Sequence, residues 1–163
     1  IINLYNKYFT NVKENFIENK KELLYINLSK KTSKAPFYTP HIDCRSKIIN
    51  ILSNKNYNMG NKISLDQYLL TLKTYKFCIS PPGRGIDCHR TWEALHLGVI
   101  PILLSSPIDK LFIDLPVIIL NTIEDFNKIN DEFLNDKYEN IINNIKNDKY
   151  NLNKLFIDYW KKN

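Results

Sequence analysis

The stretch Lys76–Leu104, "KFCISPPGRGIDCHRTWEALHLGVIPILL", decides the fold class. An apolar strand leads into a loop of prolines and glycines, and an amphipathic helix then leads into a second apolar strand. Gly98 follows the helical part and is typical of a helix C-terminus. A strand, a helix and a strand in this order predict a βαβ unit with parallel strands.

Outward from this unit, apolar runs of strand length keep alternating with segments of helical spacing. Further strands are predicted at "LLYINL" (Leu23–Leu28) and "PVIIL" (Pro116–Leu120), with a short one around Tyr57–Gly60. Helices are predicted over Ile2–Asn19, after the capping residues Asp43 and Ser64, from Thr122 with Glu124 and Asp125 in the first turn, and in one or two pieces over Lys137–Lys162. We therefore expect one α/β domain over residues 1–163, Rossmann-like and three-layered, with a mostly parallel sheet, a leading helix in 1–22 and C-terminal helices in 137–163.

Composition limits the function classes. The 163 residues are 44% hydrophobic and 25% charged, as in a globular domain. No apolar run approaches the ~20 residues that span a bilayer, and no signal peptide is recognisable. The net charge of +6 suits an anionic partner, but the lysines are scattered, so nucleic acid is not the expected partner. The sequence begins with Ile1 rather than Met, which leaves two interpretations open: a piece cut from a longer polypeptide, or a truncated relative of one.

Cys44, Cys78 and Cys88 form no C-x-x-C pair, which favours reduced thiols and a non-oxidising compartment such as the cytoplasm; one disulfide remains an alternative. A zinc site of His41, Cys44, Cys88 and His89 is a weaker interpretation, because structural zinc sites draw on tighter paired ligands. We therefore predict no metal.

The loop after "KFCIS" has the composition of an anion site. Gly83 and Gly85 permit close backbone approaches, and Asp87 is predicted to cap the following helix. Arg84 projects from the loop, and Arg90 lies one turn into the helix. In parallel sheets, ligands bind beyond the carboxyl ends of strands, so these residues predict a diphosphate site.

His89, Arg90 and Glu93 share one face of the predicted helix. The Glu93 carboxylate can accept hydrogen bonds from two ribose hydroxyls, as acidic residues do in dinucleotide-binding folds. Plainer interpretations stay open: Arg90 and Glu93 as an intrahelical ion pair, His89 as an ordinary helix-start residue, and the two glycines as a tight turn.

The run Phe77–Ile102 resembles the donor-binding signature of exostosin-like glycosyltransferases (family 47-like), which consists of a strand, a P-x-G loop, an R-x-x-E-A helix and a G-x-I-P strand. The resemblance implies the C-terminal half of a GT-B fold. It implies that Arg90 and the Gly83–Gly85 loop hold the donor diphosphate, with Arg90 as the catalytic group, and that Glu93 holds the ribose. Such enzymes need no metal ion or cofactor, and the implied donor is a UDP-sugar. Arg84 departs from the small polar residue of relatives.

The resemblance also implies partners: a nucleotide-sugar donor, a glycan or protein acceptor, and an N-terminal Rossmann domain without which the enzyme is incomplete. Ser105, Ser106 and Asp109 are polar enough to meet sugar hydroxyls. If the chain is excised from a membrane-anchored enzyme, the Golgi lumen is the alternative compartment. A non-catalytic nucleotide-binding or regulatory module and a structural partner domain are the alternative functions.

Overall fold

Four parallel strands form the central sheet. The computed structural model describes residues 11–29, 42–57, 59–61 and 63–162. The sheet order is β1-β2-β3-β4, with Leu24 opposite Phe77, Phe77 opposite Ile100 and Ile102 opposite Ile118. The strands are β1 (Glu22–Tyr25), β2 (Tyr75–Ile79), β3 (Ile100–Leu104) and β4 (Ile118–Leu120).

Six α-helices and three 3₁₀ turns connect or flank these strands in the described part of the chain. The helices are α1 (Val12–Ile17), α2 (Cys44–Ser53), α3 (Leu65–Lys73), α4 (His89–His96), α5 (Asp131–Lys146) and α6 (Ile157–Lys162). The 3₁₀ turns are Asp109–Phe112, Glu124–Lys128 and Leu152–Leu155.

The sheet separates two apolar clusters, because successive side chains of a strand point to opposite faces. Phe77 and Ile79 belong to the larger cluster, with residues of α2 and α5, whereas Cys78 lies with Leu69 and Leu72 of α3 in the smaller one. Helices therefore cover both faces. The predicted α/β, Rossmann-like three-layer architecture is confirmed.

Several predicted boundaries change. The segment after Thr122 forms the 3₁₀ turn Glu124–Lys128 instead of an α-helix, because the Thr122 backbone and side chain exchange hydrogen bonds with Asp125 and close a tight turn. The long helix begins at Asp131, six residues before the predicted tail helices, because the Asn130 side chain caps it by accepting from the Phe133 N–H at 2.8 Å. Of the predicted helix Ile2–Asn19, the part before residue 11 lies outside the described residues.

Of the two predicted capping residues Asp43 and Ser64, only Ser64 caps its helix with its side chain. Ser64 begins α3 with a capping box: it accepts from the Gln67 N–H, and the Gln67 side chain accepts from the Ser64 N–H. Asp43 precedes α2 but makes no side-chain cap hydrogen bond. No helix in the ranges that the structure describes is long and apolar enough to cross a bilayer.

Gly98 ends α4 as predicted, in a left-handed conformation with φ +69°. The Val99 N–H donates to the Ala94 carbonyl at 2.8 Å, the bond typical of a glycine-terminated helix. A Cβ on Gly98 would lie 2.2 Å from the Asn15 carbonyl carbon, so α1 approaches α4 at a distance that only glycine allows.

Candidate anion site at the carboxyl end of β2

The loop after β2 leaves the sheet where the sequence predicts. The Ser80 N–H donates to the Ile102 carbonyl at 2.9 Å and extends the ladder by one residue. The buried Ser80 and Thr91 hydroxyls share a hydrogen bond of 2.9 Å, which ties the end of β2 to α4. Residues 80–83 are buried, whereas Arg84 is exposed, so only the second half of the loop faces solvent.

Arg45, on α2, holds the buried half of this loop from below. Its Nε donates to the Pro82 carbonyl at 2.9 Å, and its Nη2 donates to the Pro81 carbonyl at 3.3 Å. A Cβ on Gly83 would lie 2.7 Å from Nη2, so the guanidinium occupies the space that a side chain would need. Gly83 therefore has the close-approach role predicted for it, but the approaching group belongs to the protein itself.

Arg90 is the most unusual group near this loop. Its Nε and Nη1 are enclosed by protein, and neither has a hydrogen-bond partner among the described residues. Burial alone lowers the pKa of Arg90, but Tyr68, Cys88 and Cys78 raise it, and the net shift is upward. The guanidinium therefore keeps its charge. Buried charges in proteins are normally paired or hydrogen-bonded, so two partnerless N–H groups on one cation mark a place that suits an acceptor.

A second cation adds to this charge. Burial lowers the pKa of Arg45, and repulsion from Arg90 lowers it further, so the two guanidiniums lie close enough to affect each other. The Cys88 sulfur lies 3.9 Å from Arg45 Nη2 and also influences Arg90. The buried Arg45 and the half-buried Arg90 together concentrate positive potential beneath the loop, which favours an anion there.

Glu93 and Tyr68 complete the surroundings of Arg90. Burial raises the pKa of Tyr68, as do Cys78 and Glu93, while Arg90 lowers it, so the hydroxyl responds to both charged groups. The Tyr68 oxygen is nevertheless enclosed and makes no hydrogen bond of standard geometry within the described ranges. Tyr68 lies 22 positions before Arg90 on another helix, and no pattern in the sequence marks it.

Asp87 does not cap α4, and that prediction is wrong. The N-cap is Cys88, which makes no side-chain cap hydrogen bond. The Asp87 carboxylate turns to the Trp92 indole instead and accepts from Nε1 at 2.8 Å. The Trp92 ring packs on Phe112 with centroids 5.5 Å apart, which holds it where Asp87 can reach it. The start of α4 thus carries no side-chain cap to compete with a ligand.

The remaining predicted site residues lie on the open half of the loop and on α4. Arg84 and His89 are exposed, and Glu93 is partly exposed. A Cβ on Gly85 would meet the Asp87 carbonyl oxygen at 3.6 Å, an ordinary contact, so this structure does not require glycine there. The structure brings Arg90 and Glu93 together with the loop; the anion-binding role of the whole set stays a prediction.

Hydrogen bonds join the polar groups of the turn after β3, which are those of Ser105, Ser106 and Asp109. Both Asp109 carboxylate oxygens accept hydrogen bonds, one from the Ser105 hydroxyl at 2.7 Å and the other from the Ser106 N–H at 2.9 Å. This arrangement closes the turn after β3, so these side chains have a structural role.

The chain changes direction across the sheet next to this loop. Ile26 forms a parallel bridge with Met59, and the Ile26 carbonyl accepts from the Gly60 N–H at 2.6 Å. Because β2 occupies one edge of β1, this bridge lies along the other edge. It reduces the predicted Tyr57–Gly60 strand to one residue pair. After β1 the chain therefore first forms the bridge at one edge of β1 and then returns to form β2 at the other edge. In such sheets, ligand crevices lie where the strand order reverses in this way.

Among the described residues no group of metal-ligating side chains marks the loop, and three sizeable cavities lie elsewhere in the fold. All three cysteines are free thiols, and Cys44 donates to the Pro82 carbonyl. His41, part of the zinc interpretation, lies outside the described residues, and the rest of the described chain groups no three metal-ligating side chains. Cavities of about 380, 640 and 370 Å³ lie beside α1, beside β4 and at the amino ends of β1 and β2, away from the loop.

No protein-family model matches this chain, and no curated protein matches it either.

Proposed function

We propose that this domain binds a nucleoside diphosphate sugar at the loop after β2 and acts as the donor half of a glycosyltransferase. The observation that carries the proposal is Arg90, a charged side chain with two enclosed N–H groups that lack partners. Each such group left unsatisfied costs about 1–3 kcal/mol, which an oxyanion would offset. The loop's position beyond a parallel strand and its resemblance to the exostosin-like donor signature support the same conclusion.

In the proposed reaction, the site stabilises the leaving group, which is the diphosphate. During transfer, the bond between the sugar's anomeric carbon and the diphosphate oxygen breaks, and the acceptor hydroxyl oxygen bonds to that carbon. The hydroxyl proton passes to a base supplied with the acceptor site, and the electron pair leaves with the diphosphate. The Arg90 guanidinium can place its positive charge beside that growing negative charge, and the N-terminus of α4 adds its dipole.

Binding tests the proposal in this chain directly. Thermal unfolding is measured with UDP, uridine, pyrophosphate and UDP-sugars; a ligand at ~100 times its dissociation constant stabilises the fold by about 2.7 kcal/mol. We expect UDP to stabilise the protein more than uridine does. Arg90→Ala should abolish this difference, and Arg90→Lys, which keeps the charge but loses the planar fork, should reduce it. Lys137→Ala, an exposed cation on α5, controls for net charge.

The outcomes separate the functions. No response to any nucleotide or to pyrophosphate contradicts the proposal. Equal responses of wild type and Arg90→Ala contradict the role of Arg90. Binding without hydrolysis or transfer from any UDP-sugar, with an acceptor domain supplied, leaves the non-catalytic nucleotide module as the function.

A further inference from the structure

Strand β4 has a neighbouring strand on one side only within the described part of the chain. The sheet order β1-β2-β3-β4 puts β3 beside it and no described strand beyond it. The Ser105 N–H donates to the Leu120 carbonyl at 2.8 Å, so the backbone groups of Leu120 face β3. Because the backbone groups of successive residues point to opposite sides of a strand, the N–H and C=O of Ile119 face away from the sheet.

Two further backbone groups point outward on this edge. The carbonyl of one residue and the N–H of the next point in opposite directions across a trans peptide, so the Val117 carbonyl and the Asn121 N–H also face away from β3. Neither these two groups nor those of Ile119 have a hydrogen-bond partner among the residues that the structure describes. Residues 117–121 therefore present a row of free donors and acceptors about five residues of extended chain in length.

A cavity of about 640 Å³ lies directly beside this row. Three consecutive residues of the chain line it, from Val117 to Ile119, whereas a cavity over one face of the sheet would meet alternate residues. The cavity therefore lies along the edge of the strand. Its other wall is Tyr150 together with one face of α5, whose lining residues recur at helical spacing: Phe133, Asp136, Lys137, Asn140 and Ile141.

The α5 wall carries two charges of opposite sign beside apolar surface. Asp136 and Lys137 are both exposed, and neither forms an ion pair within the described ranges. Phe133 and Tyr150 are partly buried and pack against the larger apolar cluster. An extended segment with apolar side chains next to a basic and an acidic one complements this wall, while its backbone complements the strand edge.

We propose that the β4 edge binds an extended peptide segment of a protein partner, which pairs with Ile119 and adds a strand to the sheet. The segment carries alternate apolar side chains and charges of both signs. This inference goes beyond the proposed function and does not depend on it, since the candidate donor site lies at the carboxyl end of β2. The edge is short, whereas a stable interface buries about 800 Å² per partner, so it suits a peptide segment better than a second copy of the chain.

Calorimetric titration with a synthetic peptide tests the inference. The probe is an acetylated eight-residue peptide in which valine alternates with lysine and glutamate, and we expect it to bind. Two N-methylated twins, each methylated on a different alternate set of amides, separate backbone pairing from other contacts. One twin should lose about tenfold or more in affinity, because its edge-facing N–H groups are gone, and the other should stay within about twofold.

A variant of the chain tests the same bonds from the other side. Ile119→Pro removes the outward N–H but no hydrogen bond to β3, so circular dichroism should show a retained fold while peptide affinity falls about tenfold. Ile119→Val is the matched control and should bind within about twofold of wild type. If the proline variant does not fold, the methylated twins still decide the question.

Hydrogen exchange adds a measurement on the unaltered chain. The amide hydrogens of Ile119 and Asn121 should exchange faster than those of Ile118 and Leu120, and the peptide should slow the exchange at Ile119. Three results would overturn the inference: no binding of the peptide, equal affinities of the two methylated twins, or an Ile119 amide already protected in the free chain. Self-association of the chain that Ile119→Pro abolishes, measured by sedimentation velocity, would assign the edge to a second copy and would also overturn it.

Discussion

Arg45 Nε donates to the Pro82 carbonyl at 2.9 Å, so a side chain of α2 holds the loop that follows β2. The bond joins positions 37 residues apart and is buried. Because the same guanidinium also lies against Gly83, the shape of the loop depends on a cation that contacts its inner side. The loop and α2 therefore act as one unit.

Arg45→Met should destabilise the protein by about 3 kcal/mol, because two buried carbonyls lose a charged donor. Urea denaturation measures the change. Arg84→Met, on the exposed half of the same loop, is the control and should stay within about 0.5 kcal/mol of wild type. Similar effects of the two substitutions would mean that Arg45 does not hold the loop.

Gly98→Ala should prevent folding or destabilise it by more than about 3 kcal/mol, because the new Cβ would collide with the Asn15 backbone and the left-handed φ would be strained. Circular dichroism and thermal unfolding report the loss. Gly85→Ala is the matched control, since its Cβ makes only an ordinary contact at 3.6 Å, and it should retain near-wild-type stability.

Asp87→Ala should cost less than about 1 kcal/mol, because its bond to Trp92 is exposed. In a Trp92→Phe background the same change should cost almost nothing, since the indole donor is already absent. An unchanged cost in that background would indicate that Asp87 stabilises α4 in another way, such as capping. Urea denaturation of the four proteins in this cycle decides the question.

Lys20 should make the unfolding free energy rise with pH. Burial, the largest influence, lowers the pKa of this amine to about 8 in the folded protein, against 10.5 for the ordinary side chain. Between these two values the unfolded chain binds more protons than the folded one, so raising the pH favours folding.

The gain should be about 2 kcal/mol between pH 7 and pH 9.5. Chemical denaturation at several pH values measures it. In Lys20→Met the slope over this range should flatten, whereas Lys47→Met, an exposed lysine of α2, should keep it. A wild-type stability that falls over this range would contradict the prediction.

Features governed by neighbouring residues could be predicted from the sequence. The alternation of apolar runs gives the parallel sheet, and Ser64 and Gly98 mark helix ends because cap chemistry acts within a few residues. Asp87 has the right residue type and position for a cap, but a tertiary contact with Trp92 competes for its carboxylate. Local patterns do not encode that competition.

Only part of the candidate site could be predicted from the sequence, for the same reason. Gly83 and Arg90 lie in one dense motif, so the sequence indicates them. Arg45 contacts the motif from α2 and Tyr68 approaches Arg90 from α3, and both contacts form only when these helices pack on the sheet. Hydrogen bonds between distant elements are a consequence of the completed fold.

The C-terminal end of α4 is fastened from three directions. Asn15 Nδ2 donates to the His96 carbonyl at 2.8 Å, Lys20 Nζ donates to the Leu97 carbonyl at 3.0 Å, and Gly98 lies directly against the α1 backbone. A helix clamped in this way cannot slide along its axis or rotate without breaking buried bonds. If the proposed donor site is correct, conformational adaptation to a ligand falls to residues 84–87, of which Arg84 and Asp87 are exposed, because α4 is fixed at its other end.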